Sequence, residues 1–260
     1  LLGIGVGGLV TRILESPGLP FPKNYALLFA AGGLSILPST IALGLVKEPP
    51  AEETEREGLP FKVSGWLDLL AGDVRFQRLI LCQILVTMMQ LASPFFAVHA
   101  AEALSLPESI IGSFVIALAG AGLLASLILG YVGQRWGPQN TIRIGSGLTV
   151  IAPLFALFLQ LSGGGRLARA YPIVFAALGV FQSIRMLGFR NYLMGIARNG
   201  MRTIYIGLSN TILGALALAP VLGGWLLEAT SYSVLFGITV VITGAGFILS
   251  LMLEPVDAGR

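Results

Sequence analysis

Long, continuously apolar runs separated by brief polar connections organise this chain, and seven of them are long enough to cross a membrane as helices. A helix needs about 20 mostly apolar residues to traverse the hydrocarbon core. The runs at Tyr25–Val46, Leu79–Ala101, Ile110–Val132, Ile142–Leu161, Tyr171–Ala197, Ile204–Leu227 and Val234–Leu253 meet that requirement. Membrane-spanning strands are shorter and alternate apolar with polar positions. The expected fold class is therefore all-α, a polytopic transmembrane helix bundle.

One connection differs from the others. Lys47 to Arg78 opens with Lys47, Glu48, Pro49 and Pro50 and continues through Glu52, Glu53, Glu55 and Glu57, a composition that stays solvated rather than packing. From Ser64 to Arg78, Trp66, Leu67, Leu70 and Phe76 are interleaved with charges. That mixture predicts a short amphipathic helix on the membrane surface. Leu1 to Leu14 reads as the end of a helix that begins upstream, because it opens without Met or a basic segment; an unusual N-terminus is the alternative reading. When the spans are threaded alternately, ten Lys and Arg fall on the linker's side and four on the other. Positive charge marks the cytoplasmic side, so the linker and the C-terminus are expected there, in a multi-pass protein of the cell membrane. The expected organisation is the end of one membrane bundle over 1–46, a cytoplasmic linker over 47–78, a six-helix bundle over 79–253 and a tail over 254–260.

Composition reinforces the membrane reading. Hydrophobic residues make up 55% of the chain and charged residues 11%, with a mean hydropathy of +0.85. A soluble domain carries roughly 25% charged residues, so the medium that solvates this chain is largely lipid. The 34 glycines suit closely approaching spans. The net charge of +3 comes from scattered basic residues, which gives a nucleic-acid partner no patch to bind. Cys82 is the single cysteine, so neither a disulfide framework nor a cysteine metal site is expected.

A linker followed by six spans resembles the C-terminal half of a major facilitator superfamily transporter. The closest local likeness is Gly130 to Gln139, G-Y-V-G-Q-R-W-G-P-Q, against the G-x-x-x-D-R-x-G-R-R that the family tends to place between the second and third helices of each half. Gly130, Arg135 and Gly137 match. Gln134 stands where the acidic residue is usual, and Pro138 and Gln139 where the basic pair is usual, which weakens the charge–dipole latch the motif implies. Asp68 to Leu79 is similar to the family's approach to its seventh helix. Arg202 to Thr211 with Pro220 to Trp225 is similar to its eleventh. On this resemblance the whole chain is the second half of such a protein plus the end of the first. The function implied is secondary active transport of a small solute by alternating access, with the lipid bilayer, the solute and a coupling proton or ion as partners. A polytopic scaffold or sensor that keeps the fold without moving anything is the alternative.

Arg185 is the most informative single residue. A charge at the centre of a span costs roughly 2.5–3.5 kcal/mol on insertion scales, and no Asp or Glu occurs between Glu108 and Glu228 to offset it. Its partner is a residue outside this half, a set of carbonyls and Gln or Asn side chains, or an anionic substrate. Gln182 and Phe189 flank it at helical spacing. Arg190, five residues on, is offset by about 140° in an α-helix and is expected to reach toward headgroups or to cap carbonyls. Gln83, Thr87 and Gln90 share one helical face and read either as a polar stripe lining a cavity or as interhelical hydrogen-bonding groups. Asn210 and Thr211 carry the same ambiguity. Pro94 and Pro220 interrupt backbone hydrogen bonds inside spans. His99, the only histidine, lies near the outer end of its span and is expected at the membrane interface. The rows Gly122, Ser126, Gly130 and Ala215, Ala219, Gly223 read as helix-packing surfaces.

Catalytic chemistry finds few candidates. Gly3 to Gly8 and Gly120 to Ala125 carry glycines at nucleotide-loop spacing but lack the strand and βαβ context. The chain has no nucleophile elbow, P-loop or H-E-x-x-H pattern. No catalytic residue, cofactor or metal is expected.

Overall fold

The computed structural model describes residues 22–45, 72–107, 110–198 and 200–256, together with residues 13, 18 and 20. The expected helix over 1–14, the acidic linker and most of the expected surface helix lie outside the described residues. Two units are distinguished, Leu1–Pro60 and Phe61–Arg260. The first contains helix α1, Lys23–Gly44, with Pro38 inside it and an apolar stretch over Ala26–Ala42.

The second unit holds six helices long and apolar enough to cross a membrane: α2 (Val74–Glu102), α3 (Ile111–Trp136), α4 (Pro138–Ser162), α5 (Gly165–Ile196), α6 (Arg202–Ala229) and α7 (Tyr232–Leu251). Among the described residues there is no strand. The apolar runs located all six, with helix ends that differ from the expected bounds by one to six residues.

Three of these helices are not uniform, and each irregularity has a cause. In α2 the α-helical geometry stops at Thr87, a 3₁₀ turn covers Met88–Leu91, and the helix resumes at Phe95 after Pro94. Proline has no amide hydrogen for the preceding turn. In α6 a 3₁₀ turn over Ala215–Leu218 precedes the restart at Ala219, with Pro220 in its first turn. In α5 a π-helical turn spans Ile184–Phe189.

α3 packs along α5, α4 lies between α5 and α7, and α2 packs on α7 and α6. The core between them is apolar, with Phe76, Met89, Phe96, Ile142, Leu159, Ile184 and Phe236 fully or nearly fully buried. Several buried hydroxyls are satisfied within their own helices. Ser146 donates to the Ile142 carbonyl at 2.6 Å, Thr149 to Gly145 at 2.8 Å and Thr243 to Thr239 at 2.7 Å, as a medium without water requires. The exterior is apolar too. Ile116, Leu123, Leu127 and Ile128 of α3 and Val221 and Trp225 of α6 are all more than half exposed, which hydrocarbon can solvate and water cannot.

Close backbone approach occurs at one member of each small-residue row, Gly122 and Gly223, whereas a Cβ on Gly130 would meet nothing within 4 Å. A Cβ on Gly179 of α5 would lie 2.3 Å from the Leu118 carbonyl oxygen and 2.7 Å from the Gly122 nitrogen of α3. Ser183 donates to the Gly122 carbonyl at 2.8 Å beside this contact, and its hydroxyl lies 3.0 Å from that of Ser126. A Cβ on Gly223 of α6 would lie 2.0 Å from the Leu91 carbonyl oxygen, inside the irregular turn of α2.

The end of the bundle where α2 begins is held by polar contacts. Asp73 caps α2, accepting from the Arg75 and Phe76 amides at 3.1 Å each. Its other oxygen accepts from the buried Tyr205 hydroxyl of α6 at 2.6 Å. Arg143 of α4 donates to the Leu253 carbonyl at 2.7 Å and the Leu251 carbonyl at 3.2 Å, satisfying orphan acceptors at the end of α7. Glu254 accepts from Arg75 at 2.6 Å and Arg78 at 3.1 Å. Those ion pairs are half-exposed and contribute little to stability. The cap matters more. Asp73→Ala is expected to lower stability by about 1–2 kcal/mol, read as a lower thermal unfolding midpoint in detergent, whereas Glu254→Gln should leave that midpoint nearly unchanged.

Candidate functional site

A cavity of about 620 Å³ opens between α2, α5 and α6. α2 contributes Gln83 and Gln90; α5 contributes Gln182, Arg185, Met186, Phe189, Arg190 and Leu193. α6 supplies Ser209, Asn210 and several small or apolar residues. All three irregular helices therefore line one space. Irregular backbone at membrane depth is tolerated where it borders a cavity or is buried in protein, and π-helical turns are frequent at functional sites.

Arg185 projects from the π-helical turn. With the Gln90 amide oriented so that its nitrogen donates to the Leu216 carbonyl at 3.3 Å, its oxygen accepts from Arg185 Nη1 at 3.0 Å. Leu216 belongs to the 3₁₀ turn of α6, so one glutamine joins the cation of α5 to the irregular segments of α2 and α6. The guanidinium carbon also lies 5.6 Å from the centre of the Phe181 ring, within cation–π range. A guanidinium has five N–H donors, and Gln90 is its one hydrogen-bond partner among the described residues. Of the alternatives open in the sequence, an amide side chain is thus the partner inside this half, and donors are left over toward the cavity.

Six of the seven residues expected at a cavity, Arg185, Gln182, Phe189, Gln83, Gln90 and Asn210, border it. Thr87 does not. It is 2% exposed, at the point where α2 tightens into its 3₁₀ turn, and its hydroxyl has no partner among the described residues. Phe189 is nearly fully buried and closes one wall. The loop-motif residues lie elsewhere, Gly130 and Gln134 bordering a separate depression of about 360 Å³ with Asn191 and Val256. Arg135 sits in the last turn of α3. Gly137 adopts φ +86° and a Cβ there would strike the Gln139 side chain. Gln139 in turn donates to the Trp136 carbonyl at 3.0 Å and accepts from Val256 N at 3.3 Å. The departures from the family pattern at Pro138 and Gln139 therefore begin α4 and cap α3.

Two placements correct the sequence reading. Arg190 borders the same cavity as Arg185. In an α-helix five residues leave a 140° offset, but a turn closed by i→i+5 hydrogen bonds brings the fifth residue back to nearly the same side. The second correction is His99, which is 0% exposed. Its ring packs inside the bundle among Tyr171, Tyr232 and Phe236 instead of meeting headgroups, because two polar partners there satisfy it.

Six apolar spans, three of which border a polar, cation-bearing cavity, define a polytopic membrane protein. Residues 79–260 match the Major Facilitator Superfamily. The chain belongs to that superfamily and is a membrane transporter of its type. No curated protein matches the chain.

Proposed function

We propose that this chain is part of a secondary active transporter that moves a small anionic solute across the cell membrane by alternating access, with the cavity between α2, α5 and α6 as half of its binding site. The observation that carries the reading is Arg185: a mid-span cation with spare donors toward a cavity whose other polar lining is Arg190, Gln83, Gln90, Gln182, Ser209 and Asn210. Amides and hydroxyls supply hydrogen bonds without competing charge, so an anion gains the arginine without repulsion from a carboxylate.

On this reading residues 1–46 end the first bundle, 47–78 link the two bundles and 79–253 form the second. The Arg75 end, the linker and the tail from 254 face the cytoplasm, because ten basic residues lie on that side against four on the other. Reconstitution of the complete protein into liposomes tests the proposal. Uptake of labelled small anions, such as mono- and dicarboxylates or organic phosphates, should exceed that of matched neutral solutes and saturate with concentration. Folded protein that moves neither class would favour the scaffold or sensor reading.

A further inference from the structure

At the opposite end of the bundle from Arg75, an imidazole is enclosed by hydrogen-bond partners from two other helices. His99 lies in the last turn of the helical segment Phe95–Glu102, where the helix dipole favours a cation. Its Nδ1 is 2.9 Å from the Tyr171 hydroxyl of α5, and its Nε2 is 2.8 Å from Gln160 Oε1 of α4. The Tyr171 hydroxyl also lies 2.9 Å from the Phe96 carbonyl oxygen of α2, to which it can donate. The ring is 0% exposed, 5.0 Å from the Tyr232 ring and 4.9 Å from the Phe236 ring.

We infer that His99 is a proton-binding site, able to take up and release a proton without any heavy atom moving. The accounting of hydrogens gives the reason. In the neutral ring, Nε2–H donates to Gln160 Oε1 and the Tyr171 hydroxyl donates to Nδ1. When a proton arrives at Nδ1, that nitrogen becomes a donor to the tyrosine oxygen, and the hydroxyl hydrogen turns to the Phe96 carbonyl at the same 2.9 Å. Both states leave every donor of the ring paired, as a buried polar group requires. An ordinary buried histidine is served in one state only, and the other state is costly.

On α2 the carboxylate of Glu102 lies one turn onward and accepts from the Tyr232 hydroxyl of α7 at 3.4 Å. Tyr171 of α5 and Tyr232 of α7 are the other titratable neighbours, and α4 presents only the neutral Gln160. Arg166 and Arg169, on the exposed 3₁₀ start of α5, make no hydrogen bond to the ring. Because the network ties α2, α4 and α5 together, proton occupancy at His99 sets the charge held between three spans at this end. The inference does not depend on the solute.

Nitrogen-15 NMR of the complete protein, labelled at histidine and held in lipid nanodiscs, tests it from about pH 5 to about pH 8. The His99 signal is isolated as the difference from His99→Gln. A ring protonated on both nitrogens anywhere in this range supports the inference. A singly protonated ring throughout, whichever way the Gln160 amide points, overturns it. Tyr171→Phe keeps the ring packing but removes the pivoting hydroxyl, so the doubly protonated state should vanish over the same range. Its persistence unchanged would show that the hydroxyl is not the acceptor and would overturn the mechanism. Should His99→Gln fail to fold, a nitrogen–carbon correlation filtered on the proximity of Tyr171 assigns the signal in the wild type.

Discussion

Arg185→Gln is expected to abolish the selective stabilisation of the complete protein by anionic solutes while leaving its behaviour toward neutral ones unchanged. Hydrogen bonds involving a charged group contribute about 1.5–3 kcal/mol, so losing the guanidinium weakens anion binding roughly ten- to a hundredfold. The fold should tolerate the change, since glutamine stays polar beside the cavity and no longer carries a charge at mid-span. Arg185→Lys should recover only part of the binding, because an ammonium keeps the charge but loses the planar fork of donors. Arg190→Gln should have a smaller effect. It borders the same cavity but has no amide partner holding it in place among the described residues. The measurement is thermal unfolding in detergent with matched anions and neutral analogues. Equal stabilisation of wild type and Arg185→Gln by the same anion would return Arg185 to a structural role bridging Gln90 and Phe181.

The contrast between the two arginines shows how far the sequence could be read. The six spans were legible because hydrocarbon imposes a length and a composition on anything that crosses it. Most of the cavity was legible too, since Gln83, Gln90, Gln182 and Arg185 are polar residues that water or a partner must satisfy. What helical spacing misplaced was register. Thr87 and Arg190 were assigned by counting 3.6 residues per turn, and each stands next to a segment where the count changes. The 3₁₀ turn beginning at Met88 precedes Pro94 by six residues, so the proline signalled a break in α2 without locating it. The π-helical turn before Arg190 carries no composition signal of its own. His99 was misread for a different reason. Its partners lie 61 and 72 residues away, and one histidine among apolar residues gives no sign of them.

Gly179→Ala should be among the most damaging of the single-methyl changes in this bundle, alongside Gly223→Ala, whose Cβ would strike the Leu91 carbonyl oxygen. A Cβ on Gly179 would sit 2.3 Å from the Leu118 carbonyl oxygen and 2.7 Å from the Gly122 nitrogen. Both are backbone atoms, so no rotamer change can make room, and α3 and α5 must move apart. Overpacking typically costs 1–3 kcal/mol, and a clash that only helix separation can relieve belongs at the upper end, about 3 kcal/mol. Separation also stretches the Ser183 bond to the Gly122 carbonyl, 2.8 Å in the native packing, immediately before the π-helical turn that carries Arg185. Anion binding should therefore weaken along with stability. Gly120→Ala is the matched control. It lies on the same helix as Gly122, has nothing within 4 Å of a new Cβ, and gains the helix propensity of alanine. Its unfolding midpoint should equal or slightly exceed that of the wild type, with Gly179→Ala well below both. Coincident midpoints for the two variants would mean that the α3–α5 backbone contact is looser in the bilayer than the packing of Gly179 against Gly122 requires. The π-helical turn would then have to be held by its contacts with α4, chiefly Gly145 against Ile184 and Gly188 against Ile142.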